Sequence, residues 1–387
     1  MIPQKPRAVV RLASAGTIVL AFTLIQPAFA QAPSMPPPAK GQTAGQYFKN
    51  VTTASLKGLT PSDFLGAMGV MTAAVGYDCS NCHPGAGTDA IDWVTDSNPK
   101  KVTARKMVDV VAAVNKNFFG GAQVVTCWTC HRGQDAPPTS IALDKLYGEP
   151  NEERRDILAP DPNEPAATQI LDQYVQAAGG AAKLAAVKSY VATGTSRGYA
   201  GMGGTAAFEL YAQAPDSRGM WIHFPQFPER GVSAWTYDGK TGWIVQPRAI
   251  VPVYELTGND VIGAKLDALV SFPAGIKTAF TNWRVVQEDT INGREMYVVQ
   301  GIGQGAGVVA TFYFDKQTHL LTRFVRRTPS PVGRISIQQD FDNYKDVDGI
   351  KLPFKYSFLW LDGRFTAEIT DVKINVPVDA AKFTRPR

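Results

Sequence analysis

All four cysteines of this chain fall in two five-residue words, Cys79-Ser80-Asn81-Cys82-His83 and Cys127-Trp128-Thr129-Cys130-His131. C-x-x-C-H is the attachment sequence of c-type haem. Two thiols about one helical turn apart add across the porphyrin vinyl groups, and the adjacent imidazole reaches the iron. Two copies that use every cysteine predict two covalently attached haems c. Cys79, Cys82, Cys127 and Cys130 are then the thioether residues, and His83 and His131 the proximal iron ligands. A four-cysteine zinc site also pairs C-x-x-C words, but it needs no histidine after each. Disulfides closed inside C-x-x-C are strained and leave both histidines unexplained. A thioredoxin-like pair occurs once, near a βαβ pattern, and no such pattern is visible.

The start of the chain reads as an export signal. Lys5, Arg7 and Arg11 precede an apolar stretch from Leu12 to Ile25, and Ala28-Phe29-Ala30 is an A-x-A cleavage site, so the mature chain is expected to begin at Gln31. The expected location is therefore the periplasm or another extracytoplasmic compartment. Cleavage removes three of the 39 basic side chains and none of the 34 acidic ones, so the formal charge falls from +5 to +2. Four haem propionates lower it further, and the charge gives no reason to expect a nucleic-acid partner.

Punctuation divides the remainder. Residues 31–42 read as a flexible leader rich in proline and glutamine. Residues 43–135 carry helical patterning and both haem words. Residues 136–165, with Asp161-Pro162-Asn163-Glu164-Pro165, read as a linker. Residues 166–387 open with two short helices that end near Gly179-Gly180 and Val187, then alternate as strands. Eight strand segments are expected: 206–213, 218–224, 295–300, 308–314, 320–326, 336–340, 352–359 and 364–372. Asp238-Gly239, Asn292-Gly293, Asp348-Gly349 and Asp362-Gly363 are hairpin-turn signals. The expected fold class is α+β and multidomain: an all-α di-haem cytochrome c domain, then an antiparallel, strongly curved β-sheet or open barrel.

Each haem word follows a helix bearing methionine. Thr60 is an N-cap, Pro61 suits the first helical position and Asp63 the positive helix end. Phe64, Leu65, Met68, Met71, Thr72 and Val75 then share one face, and Gly76 ends the helix. The second helix starts at Asn98-Pro99, with Met107, Val110, Val111 and Val114 as its stripe. It stops before Gly120-Gly121.

These residues resemble the cytochrome c subunit family of photosynthetic reaction centres. The likeness runs over residues 44–135. It is carried by Leu59-Thr60-Pro61-Ser62-Asp63-Phe64, Met68-Gly69, Thr103-Ala104-Arg105-Lys106-Met107, the two haem words, and Arg132-Gly133. The resemblance implies a helical fold with each haem against its methionine helix. Met68 and Met107 are then the sixth iron ligands, with Met71 as the competitor for the first iron. The photosynthetic members usually carry four haems and this chain has two words, so it resembles the shorter di-haem relatives found in non-photosynthetic bacteria. The C-terminal half is loosely similar to the open β-barrel of lipoprotein carriers. Tyr313-Phe314-Asp315, Asp348-Gly349-Ile350-Lys351-Leu352-Pro353 and the ending Lys382-Phe383-Thr384-Arg385-Pro386 carry that likeness.

Iron held by both histidine and methionine has no free position for oxygen or peroxide, and methionine raises its reduction potential. The expected function is electron transport, a relay between extracytoplasmic redox proteins as donor and acceptor, and not catalysis. Two alternatives stand beside it. One is a di-haem peroxidase or oxidase with one open iron. The other is an envelope module that binds lipid or quinone and uses its haems as redox sensors, with an apolar ligand in the β domain and peripheral envelope association. His223 and His319 are spare histidines that could displace a methionine only if the β domain closed over a haem. Lys100, Lys101, Arg105 and Lys106 form a candidate docking patch for an acidic partner. The second half contains no Ser/His/Asp set, phosphate loop or metal word.

Overall fold

The structure, a computed structural model, describes residues 35–86, 88, 90–140, 158–247, 249–303 and 308–386. The expected export signal, residues 31–34 of the leader and residues 141–157 of the linker lie outside the described residues.

Helices α1 (Ala44–Tyr47), α2 (Ala54–Lys57), α3 (Pro61–Val75), α4 (Pro99–Phe118) and α5 (Cys127–His131) make the N-terminal half, with a 3-10 turn at Cys79–Asn81. α3 begins and ends as its sequence dictates. The Thr60 hydroxyl accepts from the Asp63 amide at 3.1 Å, Pro61 occupies the first turn, and Gly76 closes the helix at φ 67°. α4 starts at the expected cap, where the Asn98 side chain accepts from the Lys100 amide at 3.1 Å.

The buried stripe of α4 differs from the expected one. Val108, Val111 and Asn115 face inward, whereas Val110 is 48% exposed. Asn115 is the reason. Its Nδ2 donates to the Val125 carbonyl at 2.7 Å, and its Oδ1 accepts from the Val124 and Val125 amides. A polar side chain that ties down the next loop sets the rotation of the helix, and the valine pattern alone cannot show that.

Helices α6 (Ala167–Ala177) and α7 (Ala181–Ala186) lead into one sheet of thirteen antiparallel strands. The strands are β1 (Ser189–Arg197), β2 (Thr205–Gln213), β3 (Ser217–His223), β4 (Val232–Tyr237), β5 (Gly242–Val245), β6 (Val253–Glu255), β7 (Asn282–Ile291), β8 (Arg294–Ile302), β9 (Val309–Asp315), β10 (Leu321–Ser330), β11 (Gly333–Val347), β12 (Ile350–Trp360) and β13 (Gly363–Ile374). The order β6-β5-β4-β3-β2-β1-β13-β12-β11-β10-β9-β8-β7 places β1 against β13 and leaves β6 and β7 as open edges. The chain therefore meanders outward from the centre to one edge, crosses over, and meanders back from the other edge. The four expected turns each join consecutive strands. Asn292, Gly293, Asp348, Gly349 and Gly239 adopt positive φ there.

The crossover is the helix α8 (Asn259–Leu269), which the sequence reading did not include. It packs against β3 and β4 on one arm and β10 on the other, so the sheet curves around it. A buried Asp267 within α8 masks the apolar period by which such a helix is recognised. The concave face holds the main core, including Phe208, Phe312, Phe324, Phe358 and Phe365.

The helical half packs directly on this sheet. A Cβ at Gly66 would meet Ile335 Cδ1 at 2.5 Å, and one at Gly69 would meet Leu361 Cβ at 3.3 Å. The glycine face of α3 thus lies on β11 and on the β12–β13 turn. The Cys127 amide donates to the Val332 carbonyl at 3.1 Å, which ties the second haem word to the β10–β11 turn.

Candidate haem site

With its glycines on the sheet, α3 presents the opposite face to open space. Phe64, Leu65, Met68, Met71, Thr72 and Val75, the face read from sequence spacing, all line one cavity of about 1500 Å³, whose lining also takes in Ser62, Gly66 and Gly69. Met107 of α4 lines the same cavity, as do Cys79, Cys82 and His83 of the first word and Cys127 and His131 of the second. Cys130 is exposed and lies outside that lining. No disulfide joins any of the four cysteines.

The two histidines differ in their second nitrogen. His131 Nδ1 lies 3.0 Å from the Gln134 carbonyl, an arrangement that puts the proton on Nδ1 and leaves Nε2 as the ligand atom. His83 is buried, and its Nδ1 has no hydrogen-bond partner. Burial lowers its pKa, and Lys101 lowers it further. The backbone of Asp92 and Trp93 and the Asp92 charge oppose this. A neutral imidazole with its lone pair available is the form that binds metal. The Trp93 ring packs on it, 5.0 Å between centroids.

Burial also raises the thiol pKa of Cys79, Cys82 and Cys127. At Cys79 the nearby Asp362 adds to the effect, whereas Lys100 and Lys101 offset it at Cys82. Among the described residues, no three His, Cys, Asp or Glu side chains converge as a metal-ligand group. An orphaned buried imidazole, a second one fixed by a carbonyl, paired free thiols and half-buried methionines on the facing helices form a donor set that suits c-type haem.

The candidate docking patch is mostly committed to the protein itself. Arg105 pairs with Asp96 at 2.8 Å, Lys101 Nζ donates to the Trp93 and Thr95 carbonyls, and Lys100 sits over the Tyr77 ring. Lys106 is exposed. Neither His223 nor His319 lines the cavity.

Residues 18–169 match the family Photosynthetic reaction centre cytochrome C subunit. The chain is 33% identical over 109 residues to the photosynthetic reaction center cytochrome c subunit of Thermochromatium tepidum, covering 27% of this chain and 25% of that protein. It is 34% identical over 113 residues to the subunit of Rubrivivax gelatinosus, covering 28% and 29%. The chain thus spans between a quarter and a third of the length of these relatives. Two solved structures have a fold of distant likeness, a DUF1329 family protein from Desulfovibrio piger and a LolA superfamily protein from Nitrosomonas europaea. The first has 13% identity and TM-score 0.40 over 57% of this chain and 98% of that one. The second has 12% and 0.38 over 57% and 99%. No helix among the described residues is long and apolar enough to cross a membrane.

The cavity does not stop at the helical half. It continues onto the concave face of the sheet, where Trp235, Ile244, Phe358 and Trp360 line it together with Arg218, Asp260, Asp267 and Arg326. The sequence reading missed these charged residues, although strand parity flags one of them. Arg218 alternates with Met220 and Ile222, which places a cation on an otherwise apolar face.

Proposed function

We propose that this chain is an exported di-haem c-type cytochrome that relays electrons between extracytoplasmic redox proteins. One observation carries the reading: both C-x-x-C-H histidines line a single cavity with Met68, Met71 and Met107, between α3, α4 and the sheet. Haem c supplies reversible one-electron transfer at its iron. Cys79 and Cys82 hold one group by thioether bonds, and Cys127 and Cys130 the other. His83 and His131 would supply imidazole nitrogen to the irons, and Met68 and Met107 thioether sulfur. Met71 lies one turn beyond Met68 and competes for the first iron.

The residues around the words support that work. The Gln134 carbonyl holds His131 in one tautomer, and the Asn115 clamp positions the loop leading to Cys127. The Thr126 hydroxyl accepts from the Thr129 amide and caps the short helix that bears the second word. Lys106 offers one exposed cation beside the second methionine for an acidic partner.

The test is the pigment itself. Protein made in a host that matures c-type cytochromes is denatured and extracted with acidic solvent. Two haems per chain remaining with the polypeptide is the expected result, with loss of one in Cys79→Ala/Cys82→Ala and of the other in Cys127→Ala/Cys130→Ala. Colourless polypeptide, or pigment that leaves with the solvent, refutes the reading.

A further inference from the structure

The sheet reaches the helical half through the tips of two hairpins, and each tip meets one haem word. At the β10–β11 tip Val332 is fully buried in one cluster with Val70, Ala74 and Cys127, and its carbonyl accepts from the Cys127 amide at 3.1 Å. The β12–β13 tip is a two-residue loop, Leu361-Asp362, between the paired Trp360 and Gly363. Leu361 packs against the same helical core, and a Cβ added to Gly69, the residue after Met68, would lie 3.3 Å from the Leu361 Cβ. That contact fixes the tip on the helix that bears the first methionine. It delivers the next residue, Asp362, to the cavity lining that Cys79 and Cys82 share.

The two tips differ in charge. The β10–β11 loop, Pro331-Val332, is uncharged, whereas the β12–β13 loop carries a carboxylate. That carboxylate takes hydrogen bonds from its own amide and the Trp360 indole, and no cation pairs with it among the described residues. Asp362 opens onto the cavity, yet protein surrounds it closely enough for burial to raise its pKa. Asp78 and Asp92 line the same cavity but cap exposed turns. Hydrogen bonds from Ser80 to the one, and from Thr95 and Val94 to the other, lower their pKa, and water screens their charge. The field of Asp362 reaches the first word: after burial, it is the largest influence raising the Cys79 thiol pKa. It has no such influence on Cys127 of the second word, where burial acts first and only Cys130 adds to it.

We propose that Asp362 sets the potential of the first haem: carried there by the β12–β13 hairpin, its carboxylate lowers that haem's reduction potential and leaves the second haem's nearly unchanged. This rests on the cytochrome reading and deepens it. An oxidised haem iron carries one more positive charge than a reduced one, so a fixed negative charge nearby favours the oxidised form. A unit charge acting over roughly 10 Å at an effective dielectric of about 20 shifts an equilibrium about tenfold. Lys100 and Lys101 bias the first word the other way, and the carboxylate opposes them. The second word meets an uncharged tip and lacks this opposition. Asp362 lies outside residues 18–169, which match the cytochrome subunit family. The sheet, and not the haem-bearing segment, therefore supplies the charge that holds the two irons of the relay apart in potential.

Spectroelectrochemical titration of the haem-loaded full-length protein, at a pH where the carboxyl is ionised, reads both potentials. Asp362→Asn is expected to raise one of them by about 59 mV, the equivalent of a tenfold shift in a one-electron equilibrium. Asp362→Glu keeps the charge and should hold that potential near the parent value. The same rise is expected when Asp362→Asn is added to Cys127→Ala/Cys130→Ala, which keeps the first haem. It should be absent when Asp362→Asn is added to Cys79→Ala/Cys82→Ala, which keeps the second. Pigmented protein in which neither potential moves, both move equally, or only the second haem responds overturns the inference and leaves the cytochrome reading standing. A rise of equal size in the Asn and Glu variants also overturns it, since packing and not charge would then be the cause. Polypeptide without pigment overturns both readings.

Discussion

Gly76 ends the methionine-bearing helix and meets the turn that follows the second haem word. Its φ is +67°, and a Cβ built there would lie 2.3 Å from the Gly133 carbonyl oxygen. The Gly133 amide in turn donates to the Ala74 carbonyl at 2.9 Å. Gly76→Ala therefore incurs two costs. A left-handed residue bearing a Cβ costs about 1–2 kcal/mol. Backbone that must move to relieve the overlap costs typically about 1–3 kcal/mol more. Gly120→Ala is the control, since Gly120 has φ +60° and nothing within 4 Å of the added atom, so only the first cost applies. Urea unfolding followed by far-ultraviolet circular dichroism should give about 2–5 kcal/mol for Gly76→Ala and about 1–2 kcal/mol for Gly120→Ala. The visible spectrum of Gly76→Ala should also change at both haems, because the contact joins α3 to the second word. Equal losses in the two variants would refute the view that close packing of the two turns sets the site.

Three further outcomes follow from the same geometry. Met68→Ala and Met107→Ala should each lower one of two reduction potentials and open that iron to added ligands, while Met71→Ala leaves both unchanged; a redox titration in which Met71→Ala moves a potential would reassign the first ligand. Asp267→Ala strands the Arg326 guanidinium and should cost about 3–5 kcal/mol in urea unfolding, whereas Asp267→Leu combined with Arg326→Met recovers most of it; a loss of only about 0.5 kcal/mol in the single variant, the size of a surface substitution, would argue against a buried pair. Burial pushes Asp260 up from 3.8 to about 6, so the folded state binds its proton more tightly than the unfolded chain does. Stability contributed by that proton is full below about pH 4 and lost as pH rises through about 6, up to about 3 kcal/mol. Asp260→Asn should flatten this part of the pH–stability curve, and Asp63 and Asp362, both raised by burial, supply the remaining slope. A curve that keeps its full slope in the variant would assign the effect to those two.

Local chemistry was legible because it acts over a few residues. The Thr60 cap, the Gly76 stop, the Asn98 cap and the four Asx-Gly turns all stand where their residue types place them. The haem words and the methionine face of α3 were equally plain, since thiol spacing and helical period are local properties. The rest needed the folded chain. Val110 reads as core and is exposed, because the rotation of α4 is set by the bonds from Asn115 to a loop nine and ten residues on. β5 and β6, of four and three residues, are too short for a periodic signal. α8 hides its period behind an aspartate that Arg326 and Gln339, 59 and 72 residues away, make tolerable.

The amino-acid order by itself determined that this chain carries two haem-attachment words, each after a capped methionine helix, and that antiparallel strands follow. Those features depend on bonds and periods within a single segment. Tertiary structure alone decided that both words open onto one cavity, and that this cavity runs on into the sheet to reach Arg218. Its walls come from α3, α4, α8 and strands on both arms of the sheet, and no local pattern encodes how segments so far apart in the chain close around a common space.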